Sequence, residues 1–189
     1  PLVTTFHTLG EAKKEIGFPE PEERIISEQE IIGCSEIIVA NSEMEKEQLR
    51  SLYEAPVERI HIVPLGVEHA FFSPGNQDAA RSALGLPTGP ILMYVGRLQS
   101  LKGVDVAIRT LQELENREVT LLIIGGASGP DGDAHEQNLR ELMRKLPVHN
   151  QVIFVPPQPH HLLSTYYRAS DLVLVPSRSE SFGLVALES

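Results

Sequence analysis

The chain holds a single cysteine, Cys34 in "IIGCSEIIVA". No disulfide can close within it, which points to a reducing compartment, the cytoplasm. The apolar flanks of Cys34 predict a small buried side chain rather than a nucleophile. No apolar run approaches the ~20 residues that a membrane-spanning helix needs. The opening "PLVTTFH" lacks the charged stretch and cleavage site of a secretory signal and reads as the interior of a strand. The chain is therefore expected to begin inside one domain and to stop inside an element, as a fragment does. Basic residues are also scarce. Residues 1–72 carry 14 acidic and 6 basic side chains, and residues 73–189 carry 12 and 10. That balance excludes the basic stripe of a nucleic-acid groove. No low-complexity tract and no internal sequence repeat is present.

What remains is an ordinary soluble composition, 41 % hydrophobic, which suffices for a packed core. Short runs rich in Val and Ile predict strands over 2–6, 36–40, 60–64, 91–95, 119–124, 152–155 and 172–175. Most are continuously apolar, as parallel strands covered on both faces are. Helical patterns lie between them, near 22–35, 42–53, 103–115, 135–146 and 160–169. Strand–helix–strand repetition at this spacing means βαβ units and a doubly wound α/β sheet. The series breaks once, at "GVEHAFFSPGNQDAARSALGLPTGP", with a short helix near 78–84. The expected organisation is the tail of one Rossmann-like domain (1–67), a linker (68–90) and most of a second such domain (91–189).

Two stretches hold candidate chemistry. In "ILMYVGRLQSLKGVDVAIRTL" a strand ends at Gly96, and a short loop presents Arg97 and Lys102 before a helix. Ligands of open α/β sheets sit at the carboxyl ends of strands. An arginine and a lysine there suit a phosphate, although a surface loop with two solvated cations would look the same. In "SRSESFGLVALES" a loop runs into a helix. Glu180 stands before its N-terminus, the amides of Phe182, Gly183 and Leu184 are unpaired donors, and Glu188 follows two turns on. Carboxylates beside such donors suit sugar hydroxyls rather than a bare phosphate, although one acidic residue at the helix start and one solvated glutamate is the bland alternative. No strand ends in G-x-G-x-x-G and no Walker A loop is present, which counts against an NAD oxidoreductase. Asp131-Gly132-Asp133 has the D-x-D form of a divalent-metal motif but sits in a Gly/Pro loop, where a turn is the better reading. His160 and His161 are adjacent and lack metal-ligand spacing. No metal site is assigned.

"GRLQSLKG" at 96–103 together with "ESFGLVALE" at 180–188 resembles the retaining glycosyltransferases of family 4, the group 1 family, whose fold is GT-B: two Rossmann-like doubly wound parallel-sheet domains. Both domains would be incomplete here. The resemblance covers essentially the whole chain. It implies no tightly bound cofactor, a nucleotide-diphosphate sugar as donor (a uridine one preferred) and no divalent metal for the chemistry. It implies that Arg97 and Lys102 hold the diphosphate and stabilise the leaving group, with Gly96 letting the backbone approach. Glu180 would contact the donor sugar. The amides of Ser181, Phe182, Gly183 and Leu184 would surround sugar and phosphate. Glu188 would take the ribose, and the backbone at Gln158 would meet the base. Gly125 and Gly126 would keep a strand end open for the nucleotide.

"TFHTLGEAKK" and "PEPEERIISEQEII" resemble the branch of that family containing sucrose-phosphate synthases and D-inositol-3-phosphate glycosyltransferase. That implies His7 beside the reaction centre, and Thr8 and Arg24 on the phosphate of a phosphorylated acceptor. Lys14 is a weaker candidate. No carboxylate is assigned as a covalent nucleophile. The alternatives are a sugar-nucleotide epimerase of the same fold, or a nucleotide-sugar-binding module without transfer. A homodimer is left open.

Overall fold

The computed structural model describes the chain except residues 115, 129–131 and 148–150 and the side chains of residues 133 and 135. The chain falls into two compact units: Pro1–Gly66 with Ser179–Gly183, and Val67–Arg178 with Leu184–Ser189.

The first unit carries β1 (Val3–Thr5), α1 (Gly10–Glu15), α2 (Glu22–Cys34), β2 (Ile37–Ala40), α3 (Glu43–Tyr53) and β3 (Ile60–Ile62). The strands form a parallel sheet in the order β1-β2-β3, with Val3 opposite Ile37 and Ile38 opposite Ile60. Pro21 precedes α2 with a fixed φ, and Glu22 and Glu23 in its first turn suit the positive end of the helix dipole. The Ser42 hydroxyl caps α3 by accepting from the Glu45 amide at 3.1 Å. Leu9, Ile32, Ile38, Ala40, Leu49 and Ile60 form the core. Fully burying a side chain such as Leu49 contributes about 1.5–3 kcal/mol.

Strand β1 lies at the edge of the sheet, and Val3 and Thr5, on one of its faces, are exposed. One expectation needs correction in this unit. Cys34 is exposed, not buried. It ends α2, where Ile32 and Ser35 turn inward on either side of it.

The second unit carries α4 (Gln77–Leu84), β4 (Ile91–Val95), α5 (Val104–Glu113), β5 (Thr120–Ile124), α6 (Gly132–Lys145), β6 (Val152–Val155), α7 (His160–Ala169), β7 (Leu172–Leu174) and α8 (Leu184–Glu188). All four strands are parallel, in the order β6-β5-β4-β7. Central strand β5 matches the two-sided expectation. Leu121 and Ile123 pack with Val104, Ile108, Leu111 and Leu139 of α5 and α6. Leu122 and Ile124 pack on the other face with Ile91, Met93 and Tyr167 of α7. Alternate residues of one continuous apolar run thus enter two separate cores.

Residues 68–90, expected as a linker, are built into this unit. Helix α4 is capped by Asn76, whose side chain accepts from Ala79 N at 2.8 Å. Its buried Arg81 donates to Ala169 O at 2.8 Å, to Thr88 O at 3.0 Å and to Asp171 Oδ2 at 2.7 Å. Asp171 Oδ2 also accepts from the Ile91 amide at 2.7 Å, so one carboxylate ties α4 to the starts of β4 and β7.

Partial burial pushes the Asp171 carboxyl up, but the Ile91 amide, Gln77 and Arg81 together hold it below the ordinary aspartate value. A depressed folded-state pKa stabilises above the unfolded value of roughly 3.9 and is lost as pH falls through the folded one. Asp171→Asn is expected to lower stability at pH 7 by about 1 kcal/mol, a modest figure because the carboxylate is partly solvated. The gap to wild type should close as pH falls below about 4. Urea midpoints measured across that range would check it.

Candidate functional site

In the second unit the chain builds outward from β4 through β5 to β6 and then returns to the other side of β4 for β7. The order reverses between β4 and β7, and the crevice at that carboxyl end is where open α/β sheets bind ligands. The loops that follow these two strands touch there. A Cβ on Gly103 would overlap the Pro176 carbonyl oxygen, and Gly103 has φ +67°, so only glycine fits.

The β4 loop is fixed by its backbone. Gly96 N donates to Ile124 O at 3.0 Å and Leu98 N to Gly126 O at 3.0 Å. Tyr94 donates its hydroxyl to Arg97 O at 2.9 Å, and Gln99 reaches Ser128 O at 2.9 Å. The Arg97 side chain stands exposed on this rigid loop. Lys102 is half-buried and ends a 3-10 turn over Ser100–Lys102, one residue before α5. Gln158 lies in the loop after β6, at the same end of the sheet, with its side-chain amide folded onto Pro156 O at 2.9 Å.

A third cation in these loops escaped the sequence reading. Arg178 forks onto Asp105 at 2.8 and 3.1 Å, donates to Ser100 O, and sends its own amide to Leu101 O at 2.8 Å. Burial pushes the Asp105 carboxyl up, but Arg178 brings it below its ordinary value, and Asp105 in turn raises Arg178. Arg178 is thus a neutralised brace that clamps the β7 loop to the Lys102 turn.

Helix α8 begins at Leu184, two residues later than expected, with Phe182 and Gly183 in the turn before it. Glu188 is not a solvated glutamate. Its side chain is 8 % exposed, with Oε1 2.8 Å from His160 Nε2 and Oε2 accepting from the Tyr167 hydroxyl at 2.8 Å. Burial, and then Glu188, push the Tyr167 hydroxyl far above its ordinary value, so it is a permanent donor.

Glu180, Ser181, Phe182 and Gly183 belong to the first unit and are half-buried there. Ser181 Oγ donates to His7 O at 2.9 Å, and Ser42 Oγ donates to Ser181 O at 3.1 Å. His7, just past β1, is exposed. Thr8 and Arg24 meet directly: Arg24 donates to Thr8 O at 2.8 Å and to Thr8 Oγ1 at 3.2 Å. The same guanidinium binds Glu20 at 2.8 Å and the buried Glu28 at 2.8 Å. Lys14 pairs instead with Glu11 at 3.0 Å. Asp131 and the Asp133 side chain lie outside the described residues. Among those described, no cluster of His, Cys, Asp and Glu is arranged to hold a metal.

Residues 76–189 match the family model "Glycosyl transferases group 1", and residues 1–71 match "Glycosyltransferase Family 4". The chain belongs to the group 1 glycosyltransferase family. It is 44 % identical to the D-inositol 3-phosphate glycosyltransferase of Acidothermus cellulolyticus and 46 % identical to that of Nocardia farcinica. Each alignment covers 100 % of this chain and 44 % of the relative, so the chain spans somewhat under half their length. Among solved structures it resembles the sucrose-phosphate synthase of Thermosynechococcus elongatus, with TM-score 0.88 and 29 % identity over 98 % of this chain and 47 % of the other. Anabaena HepE, solved in complex with UDP and glucose, shares the fold, with TM-score 0.86 and 20 % identity over 100 % of this chain and 50 % of the other. The fold is thus α/β with parallel sheets, of the GT-B glycosyltransferase type.

Proposed function

We propose that the protein transfers a sugar from a UDP-sugar to a hydroxyl of a phosphorylated polyol or sugar, with retention at the anomeric carbon and in the cytoplasm. The observation that carries this is the β4–β7 switch point, where Arg97 and Lys102 stand on a loop fixed by the neighbouring strand and by Arg178. Inositol phosphate in the names of the relatives supports the phosphorylated acceptor, with Thr8 and Arg24 as its proposed ligands.

In this reading Arg97 and Lys102 bind the diphosphate and stabilise the charge that develops on it as the bond from the anomeric carbon to the diphosphate oxygen breaks. Gly96 allows close approach, and the amides from Ser181 to Leu184 add donors. Glu180 orients the sugar, Glu188 takes the ribose, and the backbone at Gln158 meets the base. The acceptor oxygen enters beside His7 and bonds to the anomeric carbon, and its proton passes to the leaving diphosphate. The electron balance closes without a metal or a redox partner.

Calorimetric titration of UDP, GDP, ADP and NAD against wild type and Lys102→Ala tests it. UDP should bind, and the variant should weaken it by about 10–100-fold, as loss of a charge-assisted hydrogen bond to phosphate would. NAD binding alone, or an unchanged UDP affinity in the variant, overturns the assignment.

A further inference from the structure

Glu188 poses a physical question that its place in the donor site does not answer. A nearly buried carboxylate must be held by donors, or desolvation would push it toward the neutral form. His160 and Tyr167 supply those donors, one on each oxygen. They stand seven residues apart on one face of α7, two helical turns, and Tyr167 reaches back toward the helix N-terminus as long helical side chains do. The Phe72 ring packs against both, 4.7 Å from the His160 ring and 5.8 Å from the Tyr167 ring, which backs each donor on one side. A carboxylate offers about four acceptor positions. With one on each oxygen taken, the remaining pair points in a fixed direction with a fixed spacing. That is the requirement for receiving the two hydroxyls of a vicinal diol.

We propose that His160 and Tyr167 are positioning residues that aim the Glu188 carboxylate at the ribose diol of the donor nucleotide, and so set its discrimination between ribose and deoxyribose. The inference rests on the donor-site reading above and goes beyond it by assigning ribose selectivity to two residues that do not themselves touch the nucleotide. The plain alternative is that the three side chains only fasten α8 to α7. In that case removing a donor loosens the unit and weakens every nucleotide alike.

The test compares UDP with 2′-deoxy-UDP by calorimetry for wild type, Tyr167→Phe, His160→Ala and His160→Gln, with a thermal melt of each variant. Wild type should prefer UDP at least tenfold. Tyr167→Phe and His160→Ala should cut that ratio at least threefold, because UDP, which offers both hydroxyls to Glu188, weakens more than 2′-deoxy-UDP, which offers one. His160→Gln, which keeps a donor, should retain most of the ratio. A ratio that stays at the wild-type value in both Tyr167→Phe and His160→Ala overturns the inference and leaves the donor site standing. Equal binding of the two nucleotides by wild type does the same. Absence of UDP binding by wild type overturns the donor-site reading, and the inference falls with it.

Discussion

Gly125→Ala is expected to destabilise the second unit by about 3–4 kcal/mol, a large part of the 5–15 kcal/mol that typically holds a domain together. Gly125 directly follows β5 with φ +155°, a conformation that side-chain-bearing residues rarely adopt, and a Cβ there would overlap the Gly96 carbonyl oxygen. Neither partner can yield cheaply. Gly96 N is bonded to Ile124 O at 3.0 Å and Gly125 N to Val155 O at 3.0 Å, so relief in one strand breaks the register of the next. Backbone strain of about 1–3 kcal/mol and overpacking of a similar size act together. The functional consequence follows from the same contact, because Gly96 carries Arg97. UDP affinity should fall in this variant even at temperatures where it stays folded. Gly33→Ala is the control. Gly33 lies in α2, with no neighbouring atom within 4 Å of where a Cβ would stand, and the change should stabilise that helix by about 0.5–1 kcal/mol. Chemical denaturation of the three proteins would show whether the loss belongs to that one backbone approach.

The elements that the sequence reveals are those whose apolar pattern is set by their own burial. Strand β5 reads as a continuous apolar run because both of its faces enter cores, and α3 reads as a helix because Ser42 caps it and Leu49 and Tyr53 face inward. Helix α1 is not legible. It has six residues, too few for a periodicity, and two of its orphan amides are met from far along the chain: Gly10 N by Glu28 at 2.9 Å and Glu11 N by the Tyr53 hydroxyl at 3.0 Å. Cys34 misleads because apolar neighbours in sequence need not be apolar neighbours in space, since a helix turns each residue by its own angle. The candidate site divides in the same way. Arg97, Lys102, Glu180 and Glu188 stand out only through the resemblance of "GRLQSLKG" and "ESFGLVALE" to the family's motifs, since spacing alone also fits solvated surface residues. The partners that hold such residues in place do not, since Arg178 lies 73 positions from Asp105, Tyr167 lies 21 from Glu188, and nothing periodic links them. Buried Glu28 and Glu45 carry no signal either, because a glutamate in a helix reads as solvated until its neighbours are known.

Glu28→Gln should cost the first unit about 3 kcal/mol. The Glu28 carboxylate is buried under α1 and receives three donors: Gly10 N at 2.9 Å, Arg24 Nε at 2.8 Å and the Tyr53 hydroxyl. A glutamine has one oxygen and one NH2. Whichever way it turns, an N–H faces either the Arg24 donor or the Gly10 and Tyr53 donors, so a buried donor loses its acceptor and the arginine loses half of its counter-charge. Glu20 cannot replace it, being already shared between Arg24 at 2.8 Å and Lys13 at 2.6 Å. Tyr53→Phe leaves the ion pair intact but removes one donor to Glu28 and the acceptor of the Glu11 amide, and should cost about 1–2 kcal/mol. The ordering of the two variants is the informative outcome. If the carboxylate holds Arg24 in the pose that meets Thr8, Glu28→Gln should also loosen that contact, seen as a shift of the Arg24 guanidinium N–H resonances, while Tyr53→Phe leaves them in place. Equal losses from the two variants would mean that the hydroxyl, not the ion pair, organises this end of the sheet, and Arg24 would then have to be fixed by Glu20 and Thr8 alone.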